Sequence, residues 1–342
     1  MPEAATYPVE RPARDRFVLE RRAPRPEYDP WRYQGLIVED ERTADGGIAR
    51  IATVLLTGRE CPWRCAMCDL WRYTTAADTP AGAIAAQVGA ARAALDHDAV
   101  RLSGIKLYNA GSFFDARAVP EADYDGIAAA IADLPLVIVE SHPTLVLRAG
   151  ARVDRLLAAL ARHRGDVDGP ALLEVAMGLE TAHPDALDRL NKRFTVGRFA
   201  DAARALQDRG VALRVFLLVH PPFVPAHAQD DWLRRSLDAS FACGASVVSL
   251  VPTRPGNGAM ETIAAAGLFR VPTLHDVERS FALALAHASG RGRVFVDLWD
   301  LERTAGCVCC LAPRSNRLHR MNLEQQFHPP FSCAACGPRA RQ

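Results

Sequence analysis

Lysine is nearly missing from this chain. Of its 41 lysine and arginine residues only Lys106 and Lys192 are lysine. The two cations are not interchangeable at specific sites, so a chain this biased toward arginine is expected to keep lysine where a compact ammonium is wanted. Net charge is lacking too. The 41 basic and 40 acidic residues leave +1, which removes any global electrostatic case for nucleic acid. No apolar run reaches the roughly 18 residues of a membrane span. The opening MPEAATYPVERPARDRF carries charges where a signal peptide needs an apolar core. Internal repeats and low-complexity tracts are absent as well. What is there, 49% hydrophobic and 24% charged residues, is an ordinary globular balance. The expectation is a cytoplasmic protein with no membrane partner. Nine cysteines fit that compartment as metal ligands rather than as disulfides.

Three of the nine lie in Cys61-Pro-Trp-Arg-Cys65-Ala-Met-Cys68-Asp69, a C-x3-C-x2-C loop after the apolar run Ile51 to Thr57. Thiolate-rich sites suit iron–sulfur clusters and zinc. A structural zinc site wants four protein ligands, and this loop offers three. Three thiolates hold three irons of a 4Fe-4S cubane and leave the fourth iron open. Incidental cysteines are the competing reading, and the spacing argues against it. Near the C-terminus, Cys307 and Cys310 form one C-x2-C pair, and 22 residues later Cys333 and Cys336 form another. That is close to the spacing of a four-cysteine zinc ribbon, in which the ion supplies folding free energy that a short tail cannot find in its own core. Cys309 is then spare, and it keeps a second Fe–S cluster open as the alternative to zinc. Arg314, Arg317, His319, Arg320, Arg339 and Arg341 form a local basic patch able to hold phosphates or simply a solvated surface. Cys243 is expected in the core.

Residues 1–46 are rich in proline and arginine and read as an arm that wraps the next domain, docked by Trp31 and Tyr33. Pro24, Pro26 and Pro30 argue against a long helix there. From 47 to 300, apolar runs alternate with amphipathic stretches. The runs are Ile51 to Thr57, Val100 to Tyr108, Leu136 to Glu140, Leu172 to Leu179, Ala212 to Val219 and Ala245 to Val251, with Arg293 to Asp297 as a candidate edge strand. Continuous apolar strands between amphipathic helices indicate a parallel sheet buried on both faces. The expected fold class is α/β: a partial (β/α)6 TIM-like barrel with an N-terminal arm and, over 301–342, a small cysteine-rich metal-binding extension.

In such a barrel the reactive groups sit on the loops after the strand C-termini. The second run ends in Asn109-Ala-Gly111-Ser112-Phe113 and the third in Glu140-Ser141-His142. A carboxylate ending an apolar strand is costly to bury unpaired, so Glu140 is expected to face the mouth, toward a cation or a hydroxyl. His142 reads as a base or simply as a loop residue. The fourth run ends in Gly178-Leu179-Glu180-Thr181, followed by Asn191-Lys192. After the sixth, Arg254 and Asn257 are candidate substrate contacts or helix caps.

The cysteine loop with Leu70 and Trp71, Gly111-Ser-Phe, Val139-Glu-Ser, and Gly178-Leu-Glu-Thr followed by Asn-Lys together resemble the radical S-adenosylmethionine (SAM) superfamily. The resemblance spans about residues 50 to 260 and points to the Elongator-catalytic-subunit-like branch, nearest to archaeosine-biosynthesis radical SAM proteins and their bacterial relatives. It implies a 4Fe-4S cluster on Cys61, Cys65 and Cys68 whose open iron binds SAM. It implies a cofactor site of Met67, Gly111, Ser112, Glu140, Gly178, Glu180 and Lys192, with Glu180 on the ribose and Lys192 near the SAM carboxylate. Met67 stands where the family usually has an aromatic residue. An electron from a low-potential donor, flavodoxin or ferredoxin, then splits SAM to a 5′-deoxyadenosyl radical that abstracts hydrogen from substrate. A tRNA nucleoside, hence tRNA modification, is the substrate that resemblance implies. A small metabolite or peptide is the alternative, and a non-catalytic metal-bound scaffold is the reading of another class.

Overall fold

The computed structural model describes residues 7–98, 100–164, 172–304, 307–333 and 335. The strands are β1 (Gly35–Arg42), β2 (Ile48–Leu56), β3 (Gly104–Asn109), β4 (Leu136–Glu140), β5 (Leu172–Glu180), β6 (Ala212–Val219), β7 (Ala245–Pro252) and β8 (Arg293–Val296). They form one sheet in the order β1 to β8. β1 pairs antiparallel with β2, and every later neighbour is parallel. The helices are α1 (Arg11–Glu20), α2 (Ala83–His97), α3 (Tyr124–Ile131), α4 (Pro143–Arg148), α5 (Gly150–His163), α6 (Pro184–Arg189), α7 (Val196–Gln207), α8 (Gln229–Ala242), α9 (Ala259–Ala265), α10 (Leu274–Ala288) and α11 (Val308–Glu324). No helix among the described residues is long and apolar enough to cross a membrane.

The alternating pattern produces this architecture directly. Each parallel strand needs a crossover connection of about a dozen residues or more, and each one here includes an α-helix. α5, for instance, turns Val153, Leu156, Ala159 and Leu160 inward and its arginines outward. The outward strand residues Val54, Leu107, Val137, Val175, Val215 and Val248 join these helices in one continuous core.

The expected α/β half-barrel is present, and the seventh apolar run forms the candidate edge strand, β8. The arm is more ordered than its prolines suggested, and it contains both α1 and the edge strand β1. β1 returns into β2 through a turn at Thr43–Gly47, where Gly46 has φ +90°, the left-handed conformation such a hairpin turn requires. The residues docking α1 are Phe17 and Val18, with Tyr7 before it. Of the two residues expected to dock the arm, Tyr33 packs on the main core, whereas Trp31 is 49% exposed.

α11 lies against both β1 and β8, across the gap between the sheet's two edges. Its side-chain amides act as a ninth strand. Val294 N–H donates to Gln325 Oε1 at 2.7 Å and Val294 C=O accepts from Gln325 Nε2 at 2.8 Å. Val296 makes the same two bonds with Asn322, both at 2.9 Å. An edge strand left open is a template for unwanted pairing, and here the edge is consumed. The extension beyond 301 is therefore chiefly a helix packed on the barrel.

Candidate active site and cofactor cavity

The barrel encloses a cavity of about 1300 Å³ whose walls carry all three cysteines of the loop after β2. Every side chain that the family resemblance implied for the cofactor also lines it, apart from Gly111: Met67, Ser112, Glu140, Gly178, Glu180 and Lys192. Both lysines of the chain end in this one space.

The cysteine loop is held from several sides. Asn191 Nδ2 donates to Arg64 C=O at 2.9 Å, and Asn257 Nδ2 donates to Ala66 C=O at 2.7 Å and Cys68 C=O at 3.2 Å. Glu60 collects Arg22 at 2.8 Å, Arg64 at 3.0 Å and Arg25 at 3.6 Å. Trp63, inside the loop, stacks on the His142 ring at 3.6 Å between centroids. Met67 packs against the apolar cluster of Tyr7, Phe17 and Phe223. Burial pushes the Cys61, Cys65 and Cys68 thiols each up to about 12, so thiolates persist here only with cations to take their charge.

The two cysteine sets differ in geometry. Among the described residues, Cys307, Cys310 and Cys333 are the group of three whose ligand atoms all lie within 4.8 Å of one another, with Cys307 Sγ and Cys333 Sγ 4.0 Å apart. Sulfurs on one tetrahedral zinc, each about 2.3 Å from the ion, sit about 3.8 Å from each other. The C-terminal set therefore converges on a point. Cys61, Cys65 and Cys68 form no such group, as suits sulfurs that must each meet a different iron of a cubane. Cys336 lies outside the described residues, as do Arg339 and Arg341.

Gly178 and Glu180 flank a bulge in β5. Glu180 takes φ +68°, which folds its carboxylate back over residue 178. A Cβ on Gly178 would stand 2.2 Å from Glu180 Oε1 and 2.6 Å from Lys192 Nζ. Glycine is the residue that leaves room. Lys192 Nζ donates to Gly178 C=O at 2.7 Å and to Glu180 Oε1 at 2.6 Å. Burial alone would lower the Lys192 ammonium, but the Glu180 carboxylate overrides it and raises the pKa. Residues on both sides of Lys192, Asn191 at φ +63° and Arg193 at φ +62°, are left-handed. Strain of this kind persists only where surrounding contacts impose it, and it gathers at functional sites.

Glu140 has a different environment. Burial, opposed by the Lys192 ammonium and helped by the Glu180 carboxylate, pushes it up to about 7. Burial and Lys192 together hold His142 well below its usual value. His142 Nδ1 accepts from Thr144 N–H, capping α4, so Nε2 bears the proton and donates to Lys192 C=O at 3.0 Å. This imidazole is a structural post, as its reading as a loop residue implied.

Gly111 is boxed in, since a Cβ there would meet Arg59 C=O at 2.2 Å. Ser112 Oγ is already engaged, 3.0 Å from Ser141 Oγ and accepting from His142 N–H at 2.9 Å. The group in this turn left for a ligand is one the sequence reading passed over. Asn109 is 3% exposed and lines the cavity, and neither Nδ2 nor Oδ1 has a partner. A buried amide with both ends unpaired is costly unless something polar enters. The signal was available, as a polar residue closing an apolar strand.

Glu41, Lys106 and Arg214 line the cavity as one charged group. Arg214 donates to Glu174 Oε1 at 2.6 Å and to Glu41, and Lys106 reaches Glu41 at 2.7 Å. Burial would raise Glu41, but Arg214 and Lys106 outweigh it and bring it to about 2. Of the candidate substrate contacts, Arg254 is occupied by Asp297 at 2.7 Å and by Trp299 C=O, and Asn257 is spent on the cysteine loop. The basic patch is also reduced. Arg314 and Arg317 are buried and share Glu278, at 2.5–3.1 Å, whereas His319 and Arg320 are exposed. Cys243 is only partly buried.

No family model matches the chain. It is 28% identical over 178 residues to archaeosine synthase subunit beta of Methanosarcina acetivorans, a match covering 51% of this chain and 48% of that protein. The chain thus spans about half the length of the curated relative it matches. Among solved structures it resembles Elp3 of Methanocaldococcus infernus, with TM-score 0.50 and 12% identity over 70% of this chain and 59% of that one. Methylornithine synthase aligns with TM-score 0.49 and 12% identity over 78% and 68%. The chain has the fold of the radical SAM enzymes.

Proposed function

We propose that the protein is a radical SAM enzyme whose substrate enters the barrel cavity beside the cysteine loop. The observation that carries this is the meeting, in one cavity, of three cysteines that do not converge on a single ion with the Glu180–Lys192 pair and the unpartnered Asn109 amide. Cys61, Cys65 and Cys68 would hold a 4Fe-4S cluster, and the cavity above it would hold SAM. When bound, this pair supplies a 5′-deoxyadenosyl radical by reductive cleavage. The chain's own contribution is positioning. Lys192 fixes the Glu180 carboxylate for hydroxyl groups of a ribose, and Lys192 itself is a charge-assisted donor for a carboxylate. Asn109 offers one donor and one acceptor. Tyr108 and Phe216, in edge contact at 6.1 Å, add aromatic surface to the cavity lining.

We further propose a tRNA nucleoside as substrate, supported by the likeness to an archaeosine synthase subunit, and flavodoxin or ferredoxin as the electron donor. A small metabolite is the second reading, favoured by the burial of Arg314 and Arg317 on Glu278, which leaves less of the basic patch for phosphates. For Cys307, Cys310 and Cys333 we propose one zinc ion, on the convergence of their sulfurs, in place of a second Fe–S cluster. Anaerobic reconstitution with iron and sulfide, reduction, and chromatography for 5′-deoxyadenosine test the enzyme, with Cys65→Ala as control. Absence of the product from a fully loaded sample overturns the proposal. Failure to bind total tRNA at low salt, where phosphate contacts are strongest, overturns the tRNA reading alone.

A further inference from the structure

We infer that Asn191 and Asn257 form a bracket that sets the spacing of Cys65 and Cys68 before any cluster is present, which makes both positioning residues for it. The inference rests on the cluster reading above and deepens it.

The two amides reach the cysteine loop from different segments of the chain. Asn191 belongs to the turn after α6, and Asn257 to the loop between β7 and α9. Asn191 Nδ2 takes Arg64 C=O, the carbonyl just before Cys65. Asn257 Nδ2 takes Ala66 C=O, just after Cys65, and Cys68 C=O. The peptide before Cys65, the Ala66–Met67 peptide and the one after Cys68 are thus fixed by side chains that are themselves 1% and 3% exposed. Leu190 C=O adds a fourth tie by accepting from Ala66 N–H at 3.0 Å.

Each asparagine is itself secured. Asn257 Oδ1 accepts from Met260 N–H at 2.8 Å, which leaves Nδ2 facing the loop. The Glu261 carboxylate accepts from the backbone N–H groups of Gly256 and Gly258 on either side. Asn191 sits at φ +63°, a conformation asparagine tolerates better than most residues, and its Nδ2 also donates to Asp15 Oδ1 at 2.8 Å.

Helix capping alone would need only the Oδ1 of Asn257. The two Asn257 Nδ2 contacts both go to the cysteine loop. A cluster has a small tolerance for sulfur placement, and groups that orient its ligands typically govern retention as strongly as the ligands' own identity, with about 10–100-fold losses when they are removed.

The test separates the cap from the bracket. Asn257→Asp keeps the acceptor for Met260 and loses the donors. Asn191→Gly keeps the left-handed backbone and loses the amide. Both are compared with wild type, reconstituted anaerobically, by the rate of iron release to an excess of chelator and by the spectrum of the reduced cluster. Expected is iron release accelerated about tenfold or more in each variant, with an altered spectrum and with far-UV circular dichroism of the cluster-free protein unchanged. Wild-type release rates and spectra in both variants overturn the bracket. A wild type that takes up no cluster overturns the reading beneath it instead. Should Asn257→Asp fail to fold, Asn191→Gly decides alone.

Discussion

Replacing Lys192 by methionine isolates the electrostatics of the cofactor end of the cavity. The substitution nearly conserves volume but leaves Glu180 without its cation, beside the Glu140 carboxyl. Coulomb's law at an effective dielectric near 20 gives roughly 6 kcal/mol for charges 2.6 Å apart. The part that survives relaxation and desolvation when one partner of a buried pair is removed is about 3–5 kcal/mol. The expected result in urea titrations of cluster-free protein at pH 8 is a loss of that size for Lys192→Met. Adding Glu180→Gln removes the orphaned charge, so the double variant should be more stable than the sum of the two single losses by about 2–3 kcal/mol. Losses that add to within about 0.5 kcal/mol would refute the claim that this pair is buried and coupled.

Three further outcomes follow from the same geometry. Protein prepared without added metal should carry one zinc per chain by elemental analysis, and Cys310→Ser should remove it while iron uptake at the other site persists. Glu140, raised from the ordinary 4.5 to about 7, holds a proton in the folded chain that the unfolded chain has already lost, so stability should fall as pH rises through that window and level off above it. Glu140→Gln should flatten this slope, measured by urea midpoints from pH 4.5 to 8. Asn109→Ala should weaken SAM binding by about tenfold, the worth of one or two hydrogen bonds, without lowering the melting temperature, because a buried amide with no partner contributes nothing to the cofactor-free fold.

The parallel strands were legible because strands buried on both faces must be apolar throughout, and their spacing leaves room for one crossover helix each. β1 was not. Its Gly35–Arg42 stretch is strongly charged, since Glu41 points into the barrel to meet Arg214 and Lys106, and no apolar alternation marks it. The Asp45-Gly46 turn was the available hairpin signal. α11 hid behind its cysteines, which suggested a knuckle, and its amide contacts with β8 have no period in sequence. The cysteine loop and the Glu180–Lys192 turn were readable because their chemistry is carried by residue types at fixed spacing. Asn257 and Asn191 were not readable as loop supports, because each acts on a partner far away in the chain. The scarcity of lysine proved informative. Both lysines are buried in ion pairs within one cavity, where a compact ammonium bridges close oxygens, while the arginines serve the surface and the forked pairs.

The most direct test of the account is the electron paramagnetic resonance spectrum of the anaerobically reconstituted, reduced protein before and after addition of SAM. A 4Fe-4S cluster on Cys61, Cys65 and Cys68 with one iron lacking a protein ligand should give a spectrum whose g values shift when SAM is added, and Cys65→Ala should abolish the signal. A reduced cluster whose spectrum ignores SAM, or iron that binds equally well without Cys65, would contradict it.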